Sequence, residues 1–193
     1  MYEFTQDWFS NSDVCKLLSN YLKPANVNQM LEIGSFEGRS SVFFGDLFLN
    51  HEDSFLLCVD PFYKTGTKEG ITTLFVDDDV KKRFLNNISK SKNNDKIIHI
   101  NNTSDTFFDN CEMLFSFIYV DGCHAPDYIR RDLENSFKYL SVGGIMWMDD
   151  YEYPEREYHY CRPKVIMDEF LNKYSNRLKV IHKGYQLAII KIS

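Results

Sequence analysis

The chain has 193 residues, 44% of them hydrophobic, 26% charged and 16% aromatic, a globular balance that is long enough for one well-buried domain and excludes a disordered chain. A formal net charge of −6 opposes attraction to phosphate backbones and anionic lipid, so neither nucleic acid nor membrane is an expected partner. No apolar run approaches the ~20 residues of a membrane span, and MYEFTQDWFSNSD lacks the basic and then apolar regions of a secretory signal, which predicts a soluble, cytoplasmic protein.

In chain order, residues 1–27 read as an N-terminal helical cap containing SDVCKLLSNYL. Strand candidates then alternate with helical stretches. QMLEIG (from Gln29), FLLCVD (from Phe55), KIIHIN (from Lys96), FSFIYVD (from Phe115), GIMWMDD (from Gly144), LKVIHK (from Leu178) and QLAIIKI (from Gln186) have the β-branched and aromatic density of buried strands. RSSVFFGDLFLN, DDVKKRFLNNIS, APDYIRRDLENSFKYL and PKVIMDEFLNKY carry apolar residues at helical spacing. This alternation predicts a doubly wound α/β fold with a mostly parallel sheet, in a single domain over 1–193. The last two strands are joined only by Gly184 and Tyr185, which permits a hairpin and forbids a parallel crossover. Residues 61–80 and 151–163 are the longest stretches without a strand pattern, and both follow strands, so they are candidate active-site loops. Cys15, Cys58, Cys111, Cys123 and Cys161 are odd in number and contain no CxxC pair, which predicts buried free thiols.

Chemistry concentrates at strand ends. LEIGSFEGRSS runs from a strand through Gly34 and Gly38 into a helix start, where backbone N–H groups are available to a ligand. Its spacing matches neither a P-loop nor a G-x-G-x-x-G fingerprint, since Phe36 stands at the second glycine position, and a plain helix–sheet turn explains it equally well. Asp60 ends the second strand, placed either to accept ribose hydroxyls or to form a turn before Pro61. Asn102, Ser104 and Asp105 read as loop residues. Asp121 closes one strand, Asp149 and Asp150 another. If these strands are neighbours, three carboxylates repel one another unless a hard cation such as Mg²⁺ holds them; singly, each reads as a cap or turn residue. His124, one turn beyond Asp121, has the pKa range of a general base.

Taken together and in order, EIGSFEGRS, CVDPF, KRFLNN, YVDGCH with Asp132 eleven residues after Asp121, and VGGIMWMDDY resemble class I S-adenosylmethionine-dependent methyltransferases. Within that class they are similar to the group that includes macrolide-sugar O-methyltransferases and, more distantly, catechol O-methyltransferase. The resemblance implies a Rossmann-like, seven-stranded sheet with a final antiparallel hairpin, an O-methyltransferase activity, and S-adenosylmethionine as cofactor. It places Glu32, Gly34, Ser35, Gly38 and Ser40 along the methionine end of the cofactor, Asp60 at the ribose, and Ser104 on the adenine side, with Asp121 also bordering the cofactor. It implies Asp121, Asp149 and Asp150 as ligands of Mg²⁺ or another divalent cation, and His124 as catalytic base beside Asp121. The implied substrate is a small hydroxylated molecule, with a sugar favoured; self-association into a homo-oligomer stays open. Pro126 and Ser116 depart from the group's pattern near the site, and Glu152 to Pro163 is particular to this chain, so substrate identity does not carry over.

Overall fold

The computed structural model describes residues 1–23, 29–68, 71–153 and 163–193, with backbone only over 64–68 and 71–76. Most of the candidate loop 151–163, with His159 and Cys161, lies outside the described residues, as do 69–70 and 24–28. Helix α1 (Asp13–Tyr21) is followed by β1 (Gln29–Ile33), α2 (Arg39–Phe48), β2 (Phe55–Val59), β3 (Tyr63–Lys68), β4 (Ile71–Val76) and α3 (Asp78–Ser89). The second half contains β5 (Ile97–Ile100), α4 (Ser104–Asp109), β6 (Phe115–Val120), α5 (Pro126–Tyr139), β7 (Leu140–Met148), α6 (Pro163–Lys173), β8 (Leu178–Lys183) and β9 (Leu187–Lys191).

Local chemistry sets the boundaries. Ser12 caps α1 by accepting from Cys15 N, Asp77 caps α3 by accepting from the amides of Asp79 and Val80, and Pro126 opens α5 where its missing N–H costs nothing. The central strands are buried on both faces, as strands covered by helices on each side require. One core packs Phe44, Phe48 and Phe84 against Met30, Cys58 and Tyr119; the other packs Leu133, Phe137 and Phe170 against Leu31, Ile118 and Met146. Each fully buried large side chain there contributes about 1.5–3 kcal/mol.

The seven-stranded sheet has the order β5-β2-β1-β6-β7-β9-β8, parallel except for β9, which runs antiparallel to both β7 and β8. The hairpin implied by the two-residue link is therefore present. Two elements depart from the sequence reading. Residues 63–68 and 71–76 form a two-stranded antiparallel ribbon inside what reads as a loop, and Ser104 starts the short helix α4, capped by Thr103, where loop residues are expected. Of the four described cysteines all are free, but only Cys58 is buried; Cys123 is exposed.

The chain order reverses direction across β1: β2 and β5 lie to one side, β6 and β7 to the other. The crevice at the carboxyl ends of β1 and β6 is thus the switch point at which open α/β sheets bind ligands.

Candidate active site

At that switch point the β1–α2 loop meets the end of β6. Gly34 has φ +82°, and a Cβ there would lie 1.9 Å from the Asp121 carbonyl oxygen, so only glycine lets the two strand ends approach. Gly38, with φ +80°, starts α2 without a side-chain cap, leaving first-turn N–H groups without a capping side chain.

The acids around this loop divide its support. Glu32 is fully buried and accepts from Ser35 Oγ at 2.8 Å and from Ser41 Oγ. Burial raises its pKa, while Ser40, Ser41, Ser35 and Cys58 oppose the shift. Its carboxylate braces the loop and the first turn of α2 through Ser35 and Ser41. Asp60 Oδ2 accepts from the amides of Ser35 (2.8 Å) and Phe36 (3.0 Å), and Oδ1 from Phe62 N at 2.6 Å. The turn role is therefore real, and with three of about four acceptor positions engaged, one remains on Oδ1 for a ligand hydroxyl. Ser104, at the start of α4, donates to Asp132 Oδ1 at 2.5 Å.

On the other side of the crevice, β6 and β7 pair in register through Val120 and Met148, which brings their following aspartates together as neighbouring strand ends. Burial pushes Asp121 well above the usual carboxylate range, and Asp149, Asp150 and Glu32 add to it. Asp149 is raised by burial and then by Asp150. The strand order thus brings the three carboxylates together at one sheet edge, as the neighbouring strand ends require.

The structure then sorts these acids. Asp149 Oδ1 accepts from Gln186 Nε2 (2.6 Å) and Asp150 N (2.8 Å), and Oδ2 accepts from Tyr119 OH (2.9 Å). Asp150, with φ 60°, turns to place Oδ2 2.7 Å from His124 Nε2, while its Oδ1 accepts from Tyr185 OH at 2.8 Å. The hydrogen bond with Asp150 is the main cause of a raised His124 pKa, against the opposing effect of burial. His124 is oriented by Asp150 and not by Asp121. Ligand atoms of Asp121, His124 and Asp150 all lie within 4.8 Å of one another. A cavity of about 20 Å³, room for one water, is lined on one side by these three residues with Asp132 and Asp149 and on the other by Val120, Ile129, Pro163 and Met167.

Two residues with roles here are absent from the sequence reading as site candidates. Gln186 is fully buried; its Oε1 accepts from Val14 N (2.6 Å) and Trp147 Nε1 (2.9 Å), which fixes the amide so that Nε2 must face Asp149. Its position in the β8–β9 turn, just before β9, carries no motif. Asp132, named in the sequence only as part of the YVDGCH pattern and given no role there, is 3% exposed and lines the cavity from α5. Tyr151 is buried and donates to Asp168 at 2.9 Å, whereas Tyr153 packs edge-on against the His124 ring at 5.0 Å. No helix among the described residues is long and apolar enough to cross a membrane.

Comparison with known proteins follows this geometry. The family model described as a methyltransferase domain matches residues 31–151, more than half of the chain. No curated protein sequence matches it. Among solved structures, a candidate rRNA methylase from Clostridium thermocellum superposes with TM-score 0.68 at 13% identity, covering 92% of this chain and 93% of its own. A candidate O-methyltransferase from Klebsiella pneumoniae gives 0.67 at 13% identity over 98% and 83%. The O-methyltransferase TomG from Streptomyces achromogenes, involved in tomaymycin synthesis and solved with S-adenosylmethionine, gives 0.59 at 14% over 86% and 74%. At these identities the likeness is one of fold.

Proposed function

The chain belongs to the methyltransferase-domain family, the class I S-adenosylmethionine-dependent transferases, and from that premise we propose that it methylates a hydroxyl of a small molecule, a sugar being favoured, with a divalent ion assisting. The observation that carries the reading is the approach of Asp121, His124 and Asp150 ligand atoms to within 4.8 Å of one another at the carboxyl ends of β6 and β7. Two carboxylates and an imidazole fit a divalent ion, and the imidazole favours Mn²⁺ or a similar ion over Mg²⁺, which prefers oxygen alone. Asp149 accepts from Gln186 and the Asp150 amide on Oδ1 and from Tyr119 on Oδ2, so, as at Asp60, one acceptor position is left, here on Oδ2, beside the cluster.

S-adenosylmethionine, when bound, supplies an electrophilic methyl group on a sulfonium sulfur. A divalent ion, when bound, lowers the pKa of an acceptor hydroxyl and fixes its position. The chain's own part is placement. The Gly34–Gly38 loop and the uncapped start of α2 receive the cofactor's polar end, Asp60 Oδ1 offers an acceptor to the ribose, and Asp121 and Asp150 orient the acceptor oxygen for in-line attack.

A second reading has its own observation, the 2.7 Å contact of His124 Nε2 with Asp150 Oδ2. In it no ion is needed: Asp150 holds the ring, and His124 Nδ1 takes the hydroxyl proton. RNA methylation is disfavoured by the −6 charge.

Isothermal calorimetry with S-adenosylhomocysteine, in Mn²⁺ or Mg²⁺ and then in chelator, tests the proposal. Micromolar binding with a metal-linked heat that Asp150→Asn abolishes supports ion assistance. Binding indifferent to chelator shifts the assignment to the His124–Asp150 base. No binding in either buffer removes the enzyme reading and leaves a methyltransferase-like module that binds a partner.

A further inference from the structure

The turn between β8 and β9 reaches the carboxylate cluster, and it is fixed from both sides before it does so. Gly184 N donates to Gln186 O at 2.9 Å, which closes the turn. Asp13, the first residue of α1, grips it from outside: its Oδ2 accepts from Gln186 N at 3.0 Å and lies 2.9 Å from His182 Nε2. A Cβ on Gly184 would fall 2.7 Å from that same oxygen, so the turn has no room to shift toward α1. On the cluster side, Gln186 Nε2 donates to Asp149 Oδ1 at 2.6 Å.

Tyr185 stands in this anchored turn and gives two groups to the segment after β7. Its carbonyl oxygen accepts from Glu152 N at 3.1 Å, and its hydroxyl donates to Asp150 Oδ1 at 2.8 Å. Asp150 needs such holding. It has φ 60°, a left-handed conformation that costs about 1 kcal/mol or more and persists only where the surroundings fix it. The local bond from Tyr153 N to Asp150 O, 3.0 Å, closes the turn but leaves the carboxylate unaimed. The carboxylate is aimed by Tyr185 on Oδ1 and meets His124 on Oδ2. With 47% of its surface in water, Tyr185 adds little to the core, so the oxygen it fixes is its main contribution. The residue type matters too. A lysine or arginine here would pair with Asp150 and cancel the charge that His124 or a cation uses, whereas a neutral phenol holds the carboxylate and leaves it charged.

We infer that Tyr185 is a positioning residue for the cluster of Asp121, His124 and Asp150: its hydroxyl claims Oδ1 of Asp150 and so directs Oδ2 at His124 and at the ion or acceptor oxygen bound there. The inference rests on the reading above, in which this cluster activates the acceptor hydroxyl. The last torsion of an aspartate is broad, so without the hydroxyl the carboxylate swings and presents its ligand atom in the useful direction only part of the time. The final hairpin thereby acts on the site through an exposed side chain that no strand-end motif marks.

Tyr185→Phe keeps the ring and removes the hydroxyl alone. In the full chain it should weaken calorimetric Mn²⁺ binding about tenfold, while S-adenosylhomocysteine binding in chelator stays within about twofold and the melting temperature in chelator within about 2 °C. Where the wild type binds Mn²⁺, that affinity decides. An equal or tighter affinity in Tyr185→Phe overturns the inference. So does a loss matched by an equal loss for S-adenosylhomocysteine or by a larger drop in melting temperature, since either marks a purely structural role. Where the wild type binds S-adenosylhomocysteine but no Mn²⁺, the ion-assisted reading falls by itself and the His124 imidazole decides. An NMR titration midpoint lower in Tyr185→Phe than in the wild type supports the positioning role, and an equal or higher one overturns it. Absence of S-adenosylhomocysteine binding to the wild type removes the enzyme reading and this inference with it.

Discussion

Gly34 and His124 show how much a single position carries. At Gly34 a side chain would meet the Asp121 carbonyl at 1.9 Å in a left-handed conformation. Gly34→Ala is expected to cost at least about 3 kcal/mol in urea unfolding and to abolish binding of S-adenosylhomocysteine. His124 illustrates charge. Its pKa is raised above the ordinary 6.5 mainly by the bond to Asp150, so the stability it adds is complete below the unfolded value and disappears as pH rises through the folded one. Its use as a base begins only above that same folded value. NMR titration of the imidazole should place the wild-type midpoint above 6.5 and return it toward or below 6.5 in Asp150→Asn. An unchanged midpoint would show that Asp150 does not hold the ring.

At the scale of elements, two buried polar links join pieces distant in sequence. Gln186, in the β8–β9 turn, ties α1, β7 and β6 to the final hairpin through Val14 N, Trp147 Nε1, Asp149 and Tyr119. Gln186→Leu leaves several buried groups without partners and should cost about 3 kcal/mol, since each such loss is worth 1–3 kcal/mol. If a divalent ion binds, its affinity should fall about tenfold in the same variant through loss of Asp149 support, measured by calorimetry. Asp132 joins α5 to the start of α4 through Ser104, and burial raises its pKa from 3.8 to about 6. Because the folded state keeps this proton longer, the stability it contributes is present below about 3.8 and is lost as pH rises through about 6. Asp132→Asn still accepts from Ser104 and carries no charge. It should therefore melt higher than wild type at pH 8, by on the order of 2 kcal/mol, and near it at pH 4. An equal offset at both pH values would contradict the buried-charge account.

At the scale of the whole molecule, three carboxylates drawn together by strand order weaken an already acidic chain of net charge −6. An ion that binds only the folded state adds about 2.7 kcal/mol at one hundred times its dissociation constant, roughly 5–10 °C for a domain of this size. Differential scanning fluorimetry should show such a rise with Mn²⁺, its reversal by chelator, and its loss in Asp121→Asn. No rise at millimolar Mn²⁺ would favour the metal-independent base.

Local pattern alone was enough for the alternation of strands and helices, the final hairpin and the polar strand ends, because period, caps and a two-residue link act between near neighbours in the chain. It did not reveal the ribbon of β3 and β4, whose first half, YKTGTK, has no apolar alternation and whose second, ITTLFV, is a short apolar run without period, or α4, only six residues long. The assignment of roles within the site was equally out of reach. Which aspartate faces His124 depends on the backbone turn at Asp150, and how Asp149 is held depends on Gln186 arriving from the β8–β9 turn 37 residues further on. Hydrogen bonds of that kind are made only when the sheet order places the donors, so the residues of the crevice could be named from the chain while their partnership was decided by the tertiary structure.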